Sequence, residues 1–186
     1  MATSLTLLDR LRKPGHPDAW DRFVQLYAPM LLRWTELQGF RGADAEDLTQ
    51  TVLLKLIRLL PSYEQREGQS FRGWLFTICR NECRDFRSRR ATRPLPVSDG
   101  LSDVADRPLA DDLGEAEYRR QVVRRALELV RPDFTPATWD AFTRFVLDGR
   151  PATDVARELG TTANAVYLAR NRVLTRMRTE VSGLLD

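Results

Sequence analysis

Apolar residues recur at every third or fourth position along almost the whole of this chain, and no window alternates apolar with polar residues. Side chains share one face of a helix at that spacing, whereas a half-buried strand needs a period of two. The chain is therefore expected to be all-α. A short first helix fits Ser4 to Lys13, stopped by Pro14 and Gly15. The next starts near Asp18 and carries the stripe Trp20, Phe23, Val24, Tyr27, Leu31, Trp34. Pro29 lies inside that stripe and predicts a kink or break, because proline lacks the N–H that a helix interior uses. Asp44 reads as an N-cap with Asp47 three residues on. Leu48, Val52, Leu53, Leu56, Ile57 and Leu60 then form a buried face, and Pro61 ends the helix. After a polar loop, 61–70, a long helix is expected over 71–90, with Phe71, Trp74, Leu75, Ile78 and Phe86 on one side and Arg72, Arg80, Arg84 and Arg87 on the other.

One stretch breaks the pattern. Residues 91–114 hold Pro94, Pro96, Pro108 and several Asp with little apolar periodicity, the composition of a flexible acidic linker. The expected organisation is two small helical domains, 1–92 and 115–186, joined by a linker over 93–114. The second domain reads as four helices. The first, 115–130, turns Val122, Val123, Ala126, Leu127 and Val130 inward. Thr135-Pro136 opens the second, which runs to about Leu147 with Trp139, Phe142, Phe145 and Val146 inward. A short helix follows over 151–159, then Gly160 at a tight turn, then a last helix from about Thr162 to Glu180.

Charge follows the same division. The formal net charge is only +3, but it is blocked. Residues 71–93 carry seven bases against two acids, residues 94–117 one base against seven acids, and residues 118–186 twelve bases against eight acids. Blocks of this kind report partners or linkers. Lys13 and Lys55 are the only lysines; all other bases are Arg, whose planar fork suits phosphate oxygens and guanine edges. Codon bias in a GC-rich genome also accounts for that choice, without changing what the side chains can bind.

Several classes are disfavoured. The two cysteines, Cys79 and Cys83, have helical spacing and no nearby third ligand, so neither a zinc site nor a bridge across one turn is expected. Both read as reduced thiols of a cytoplasmic protein. The single histidine, His16, falls in a loop, and no nucleophile–base spacing marks a catalytic site. No cofactor, metal or catalytic residue is expected. No stretch approaches 18 apolar residues, so no membrane insertion is expected.

Three surfaces remain. Residues 151–174 have the pattern of a helix-turn-helix, short helix, Gly160, longer helix. With Val166 inward, Arg170, Val173 and Met177 fall within about 40° of it at 100° per residue. Asn164, Leu168 and Asn171 fall opposite, flanked by Tyr167 and Arg172. Short amides and a guanidinium on such a face can read adenine and guanine edges, and Arg176 and Arg178 further along suit phosphates. An ordinary helical hairpin with a polar outer face gives the same pattern. The second surface is the cationic, aromatic helix 71–90 beside the loop 61–70: bases neutralise phosphates, and aromatics stack on unpaired bases. Trp74 and Phe86 equally fit as packing residues, and Phe76 lies on the outer side. The third is the outer face of the helix 44–60, with Asp44, Asp47, Gln50, Thr51 and Leu54. Its acids also suit the helix dipole, while an exposed Leu54 hints at a protein contact.

The string Asp44-Ala45-Glu46-Asp47-Leu48-Thr49-Gln50 resembles the DAEDLxQ segment of region 2 in bacterial sigma factors. Phe71-Arg72-Gly73-Trp74-Leu75-Phe76-Thr77-Ile78-Cys79-Arg80-Asn81 resembles the FRxWLxxIxRN segment of that region, and 151–174 resembles the helix-turn-helix of region 4. In this order and spacing, the chain resembles the small extracytoplasmic-function (ECF) sigma factors of the sigma-70 superfamily. The resemblance implies a cytoplasmic initiation subunit acting at the bacterial nucleoid. Its implied partners are core RNA polymerase (clamp helices and flap), promoter DNA both as duplex and as melted non-template strand, and an anti-sigma factor as a possible inhibitor. It implies polymerase contacts at Asp44, Asp47, Gln50, Thr51 and Leu54. Minus-10 contacts are implied at Tyr63, Arg66, Arg72, Trp74, Arg80, Asn81, Arg84 and Arg87. Minus-35 contacts are implied at Asn164, Tyr167, Leu168, Asn171, Arg172 and Arg176. Thr51 stands where many relatives carry Glu, and Leu168-Ala169 where a Ser-Arg pair is common; these departures bear on promoter sequence. An autonomous helix-turn-helix regulator leaves the first domain unexplained. A sigma mimic would have lost the basic face of 71–90.

Overall fold

In the computed structural model, residues 6–13, 16–64, 67–91 and 114–185 are described; all of the linker expected over 93–114 except its last residue, and Arg66, lie outside them. Helices make up all the regular structure of the described residues: α1 (Leu7–Arg12), α2 (Pro17–Leu37), α3 (Ala43–Leu59), α4 (Phe71–Ala91), α5 (Glu115–Val130), α6 (Pro136–Phe142), α7 (Ala152–Glu158) and α8 (Ala163–Val181). The all-α expectation holds.

Local chemistry sets several boundaries. The Thr6 hydroxyl accepts from the Asp9 amide (3.1 Å) while the Thr6 amide donates back to the Asp9 carboxylate (3.2 Å), a capping box that starts α1. The Thr6 hydroxyl also donates to the Asp9 carboxylate at 2.8 Å, and this bond, with the one from the Thr6 amide, holds the Asp9 carboxyl below the usual carboxylate range. Two details depart from the sequence reading. Asp44 is not the cap of α3: Gly42 is, at a φ of 54°, and Asp44 sits in the first turn. A positive φ suits glycine, which has no Cβ to clash. Pro29 neither breaks nor ends α2, which continues to Leu37. The carbonyl it deprives of a donor is that of Gln25, and both residues are exposed, so water can take the vacant bond.

Around α2 the apolar stripes close on one another. Phe23, Tyr27, Leu31 and Trp34 meet Leu48, Val52 and Leu56 of α3 and Phe71, Leu75, Cys79 and Cys83 of α4, all buried. Phe71 is the hub. Its ring lies 6.3 Å from Phe23, 5.6 Å from Tyr27, 5.3 Å from Tyr63 and 5.5 Å from Trp74. Ser70 caps the start of α4 by accepting from the Gly73 amide at 3.1 Å. Phe76, expected on the outer side, instead turns edge-on to Trp34 at 5.1 Å.

The same core runs on into the second half of the chain. Tyr118, Val122, Ala126 and Val130 of α5, Met177 of α8 and Leu184 belong to one apolar cluster with α1–α4. A smaller cluster, Ala141, Ala152, Val155, Ala156, Val166 and Ala169, holds α6, α7 and the first half of α8 together. Between α6 and α7 the chain makes a π-type turn, Thr143–Leu147, where the sequence suggested continuous α-helix. Ile57 and Val123, expected inward, are exposed, and so is Arg170.

Candidate polymerase and nucleic-acid interfaces

The outer face of α3 presents Asp47, Gln50 and Leu54 to solvent, spaced three and four residues apart. Leu54 is 64% exposed and Ile57, three residues further, is 47% exposed. From Asp47 to Ile57 the strip is about 15 Å long at the α-helical rise. It is acidic at its start and apolar at its end. Thr51 is half-buried, and its hydroxyl donates to the Asp47 carbonyl (2.8 Å), so it offers little outward polarity. Asp44 is ion-paired with Arg90 of α4, which leaves Asp47 as the open carboxylate of the set.

On α4 the arginines separate into two kinds. Arg80 and Arg84 are exposed and have no ion-pair partner among the described residues. Arg87 is committed to structure: it donates to the Gln38 carbonyl and its guanidinium lies 4.9 Å from the Phe40 ring centroid. Arg72 is half-buried, 3.4 Å from the Glu115 carboxylate and 5.4 Å from the Tyr118 ring centroid, both on α5. Asn81 is half-buried.

Beside them lies a cavity of about 280 Å³ lined by Leu59, Ser62, Tyr63, Glu64, Gln69 and Trp74. Tyr63 is a buried wall of it, with its ring 4.5 Å from Trp74 and the Arg12 guanidinium 5.5 Å from the ring centroid. Aromatic walls and polar rim groups suit a flat, partly polar guest such as an unpaired base.

The third surface is carried by α8. The Thr162 hydroxyl accepts from the Ala165 amide (3.2 Å) and starts the helix. Gly160 makes the preceding turn at a φ of 62°, and buried Val155 and Val166 lock α7 against α8. Asn164, Tyr167, Leu168, Asn171 and Arg172 all come out exposed on one side. Tyr167 is steadied edge-on against Phe145 at 5.3 Å. Arg176 is different. It pairs with Asp133 at 2.7 Å and with Glu180, and donates to the Thr179 hydroxyl at 2.9 Å, so it is not a ready phosphate contact in this arrangement.

Two features escaped the sequence reading. Ile57 extends the α3 strip; it borders an open cavity of about 390 Å³ shared with α1 and the start of α2, which periodicity does not encode. Glu180 is fully buried. Its signal was present: Val166, Ala169, Val173, Met177 and Glu180 continue one stripe, so a carboxylate stood on an apolar face. Cys79 and Cys83 are buried, and the Cys79 thiol, hydrogen-bonded to Cys83 and desolvated, is pushed well above its ordinary value. No group of acidic, histidine or cysteine side chains among the described residues could hold a metal ion, and no helix there is long and apolar enough to cross a membrane.

The sigma-70 region 2 family model matches residues 23–93, which span α2 to α4. Over 183 residues the chain is 28% identical to the RNA polymerase sigma factor NccH of Alcaligenes xylosoxydans xylosoxydans, covering 96% of this chain and 93% of that one. It is 26% identical to the ECF RNA polymerase sigma factor BldN of Streptomyces coelicolor, covering 93% of this chain and 64% of that one. It is 28% identical to the RNA polymerase sigma factor CarQ of Myxococcus xanthus, covering 96% and 97%. A solved structure described as an RsbN-BldN complex aligns with a TM-score of 0.38 at 21% identity, over 91% of this chain and 96% of that one. Residues 23–93 thus match sigma-70 region 2, and over nearly its whole length the chain is similar to RNA polymerase sigma factors, one of them of the ECF group.

Proposed function

We propose that this sigma factor works by three binding events and no bond-making step of its own. The α3 strip, Asp47, Gln50, Leu54 and Ile57, docks on the clamp helices of core RNA polymerase. The outer face of α8, Asn164, Tyr167, Leu168, Asn171 and Arg172, reads the minus-35 element in duplex DNA. Arg80 and Arg84 of α4 neutralise the backbone of the melted non-template strand, and the cavity beside Tyr63 and Trp74 receives an unstacked minus-10 base.

The observation that carries this reading is that Arg80 and Arg84, exposed and without acid partners among the described residues, share α4 with Trp74, a wall of the aromatic-lined cavity. Cations without carboxylate neighbours are available to phosphates, and aromatics next to them suit bases rather than backbone. Residues 1–92 and 115–186 act as the two DNA-binding modules and 93–114 as their tether. Two modest affinities joined by a tether add as avidity, provided the tether lets both sites engage. A bacterial cytoplasmic location and an anti-sigma partner belong to this reading.

The test is direct binding to purified core RNA polymerase by gel filtration or fluorescence anisotropy. The chain is expected to co-elute with core, and Asp47→Arg to prevent it. No binding to core, together with tight binding to duplex DNA alone, would replace this reading with an autonomous helix-turn-helix regulator.

A further inference from the structure

Two arginines stand on the short helix α1, and only one of them is committed. Arg10 pairs with Asp18 at 2.9 Å and with Glu180 at 3.2 Å. Arg12 has no ion pair and no hydrogen bond among the described residues. The acid nearest to it along the chain, Asp9, is taken by the hydroxyl and amide of Thr6. The Nε of Arg12 is buried and meets no acceptor. A buried donor without a partner costs stability, so folded proteins seldom keep one.

What Arg12 does touch is the wall of the cavity beside α4. Leu7 and Leu8 of α1 share the core cluster with Leu60 and Tyr63, which seats α1 on the turn that follows α3. The Arg12 guanidinium thereby lies 5.5 Å from the centroid of the Tyr63 ring. A cation over a tyrosine face is a modest attraction and leaves the guanidinium's N–H donors unused. Tyr63 is itself a lining residue, so the backbone of a nucleotide seated in the cavity is within reach of that guanidinium. Arg58 of α3 adds a second cation. It is exposed, has no ion pair among the described residues, and precedes the lining residues Leu59 and Ser62. The acid of the cavity is Glu64. A carboxylate only accepts, which suits the amino edge of a base such as cytosine and repels a phosphate. Acceptors for a base edge thus line the cavity, and an uncommitted guanidinium stands against its aromatic wall.

We propose that Arg12 is a DNA contact: it takes the phosphate of the nucleotide whose base occupies the cavity beside Tyr63, so that α1 belongs to the minus-10 reader. This assignment rests on the functional reading above, which seats a minus-10 base in that cavity. A guanidinium fork matches two phosphate oxygens, and Arg12 gives up no ion pair to meet them. Phosphate contacts fix register while base contacts specify. With base and phosphate of one nucleotide both held, the melted strand is fixed in register at that nucleotide.

The experiment uses the chain bound to core polymerase and a fluorescent single strand carrying the non-template minus-10 sequence mapped by run-off transcription. In a set of such strands, one phosphate at a time is replaced by an uncharged methylphosphonate. Wild type, Arg12→Gln, Arg12→Lys and Arg58→Gln are compared by anisotropy at several salt concentrations, after urea melts show each variant folded. Neutralising the contacted phosphate is expected to weaken wild type about tenfold. Arg12→Gln should lose the same factor on the unmodified strand and nothing further on the neutralised one. Its slope of log affinity against log salt should fall by about 0.7. Arg12→Lys, which keeps the charge, should keep the slope and recover most of the affinity. Arg58→Gln should still lose the full factor at the neutralised phosphate. An Arg12 that merely steadies Tyr63 gives a different result: Arg12→Gln weakens every strand alike, still loses the full factor at the methylphosphonate, and keeps its salt slope. That result overturns the proposal, as does a wild type indifferent to every neutralised phosphate, or an Arg58→Gln that erases the effect. A wild-type complex that captures no strand at all overturns the functional reading itself, and the Arg12 contact falls with it.

Discussion

Replacing Leu54 with Ala removes three carbons from a side chain that is 64% exposed on the outer face of α3. Because those carbons touch water rather than the core, folding stability is expected to change by no more than about 0.5 kcal/mol. Polymerase binding is a different matter. Burying a methylene is worth about 0.8 kcal/mol. Three of them, scaled by the exposed fraction that a partner can still cover, amount to about 1.5 kcal/mol, roughly a tenfold rise in Kd. The contrast is Leu48→Ala on the opposite side of the same helix, where the side chain is fully buried. That change is expected to cost about 2–5 kcal/mol of stability. The assay is anisotropy of labelled chain against core polymerase, beside urea melts of each variant. An unchanged Kd for Leu54→Ala, with unchanged stability, would refute the placement of the interface on this face.

Other expectations follow from the same geometry. Arg84→Ala should weaken binding to melted minus-10 strand roughly equally for all sequences and reduce the slope of log affinity against log salt by about one, read by titration at several salt concentrations. Asn171→Ala should instead change base preference at one minus-35 position, with a cost of about 1–3 kcal/mol for the preferred base in a competition assay. Burial pushes the Tyr118 hydroxyl up to about 12, against an ordinary value near 10. The stabilisation from keeping it neutral is complete below about pH 10 and is lost as pH rises through about 12, on the order of 2–3 kcal/mol. Alkaline unfolding of wild type followed by circular dichroism should therefore be steeper over that window than unfolding of Tyr118→Phe.

Periodicity was enough to place the helices, because each one buries a stripe and the stripes are long. The turn at Gly160 and the cap at Thr135 were legible for a different reason: their chemistry is local, satisfied within three residues. What sequence did not reveal was set by neighbours distant along the chain. Gly42 outranks Asp44 as the cap of α3, where Asp44 meets Arg90, forty-six residues away. Pro29 is tolerated where it and Gln25, whose carbonyl loses its donor, are both exposed. Of the arginines read as one cationic face, Arg80 and Arg84 are open, while Arg72 and Arg87 are held by α5 and by the end of α2. A helical wheel shows which way a side chain points, not what waits for it. Glu180 and Arg176 make the same point from the other end of the chain.

The central claim is that the chain programmes core polymerase to start at particular promoters. Run-off transcription with purified core polymerase, with and without the chain, on promoter fragments from the source genome tests it most directly. Discrete, chain-dependent start sites are expected, and they should disappear with Asp47→Arg and with Arg80→Glu while both variants stay folded. Start sites that are unchanged without the chain, or that survive both substitutions, would contradict it.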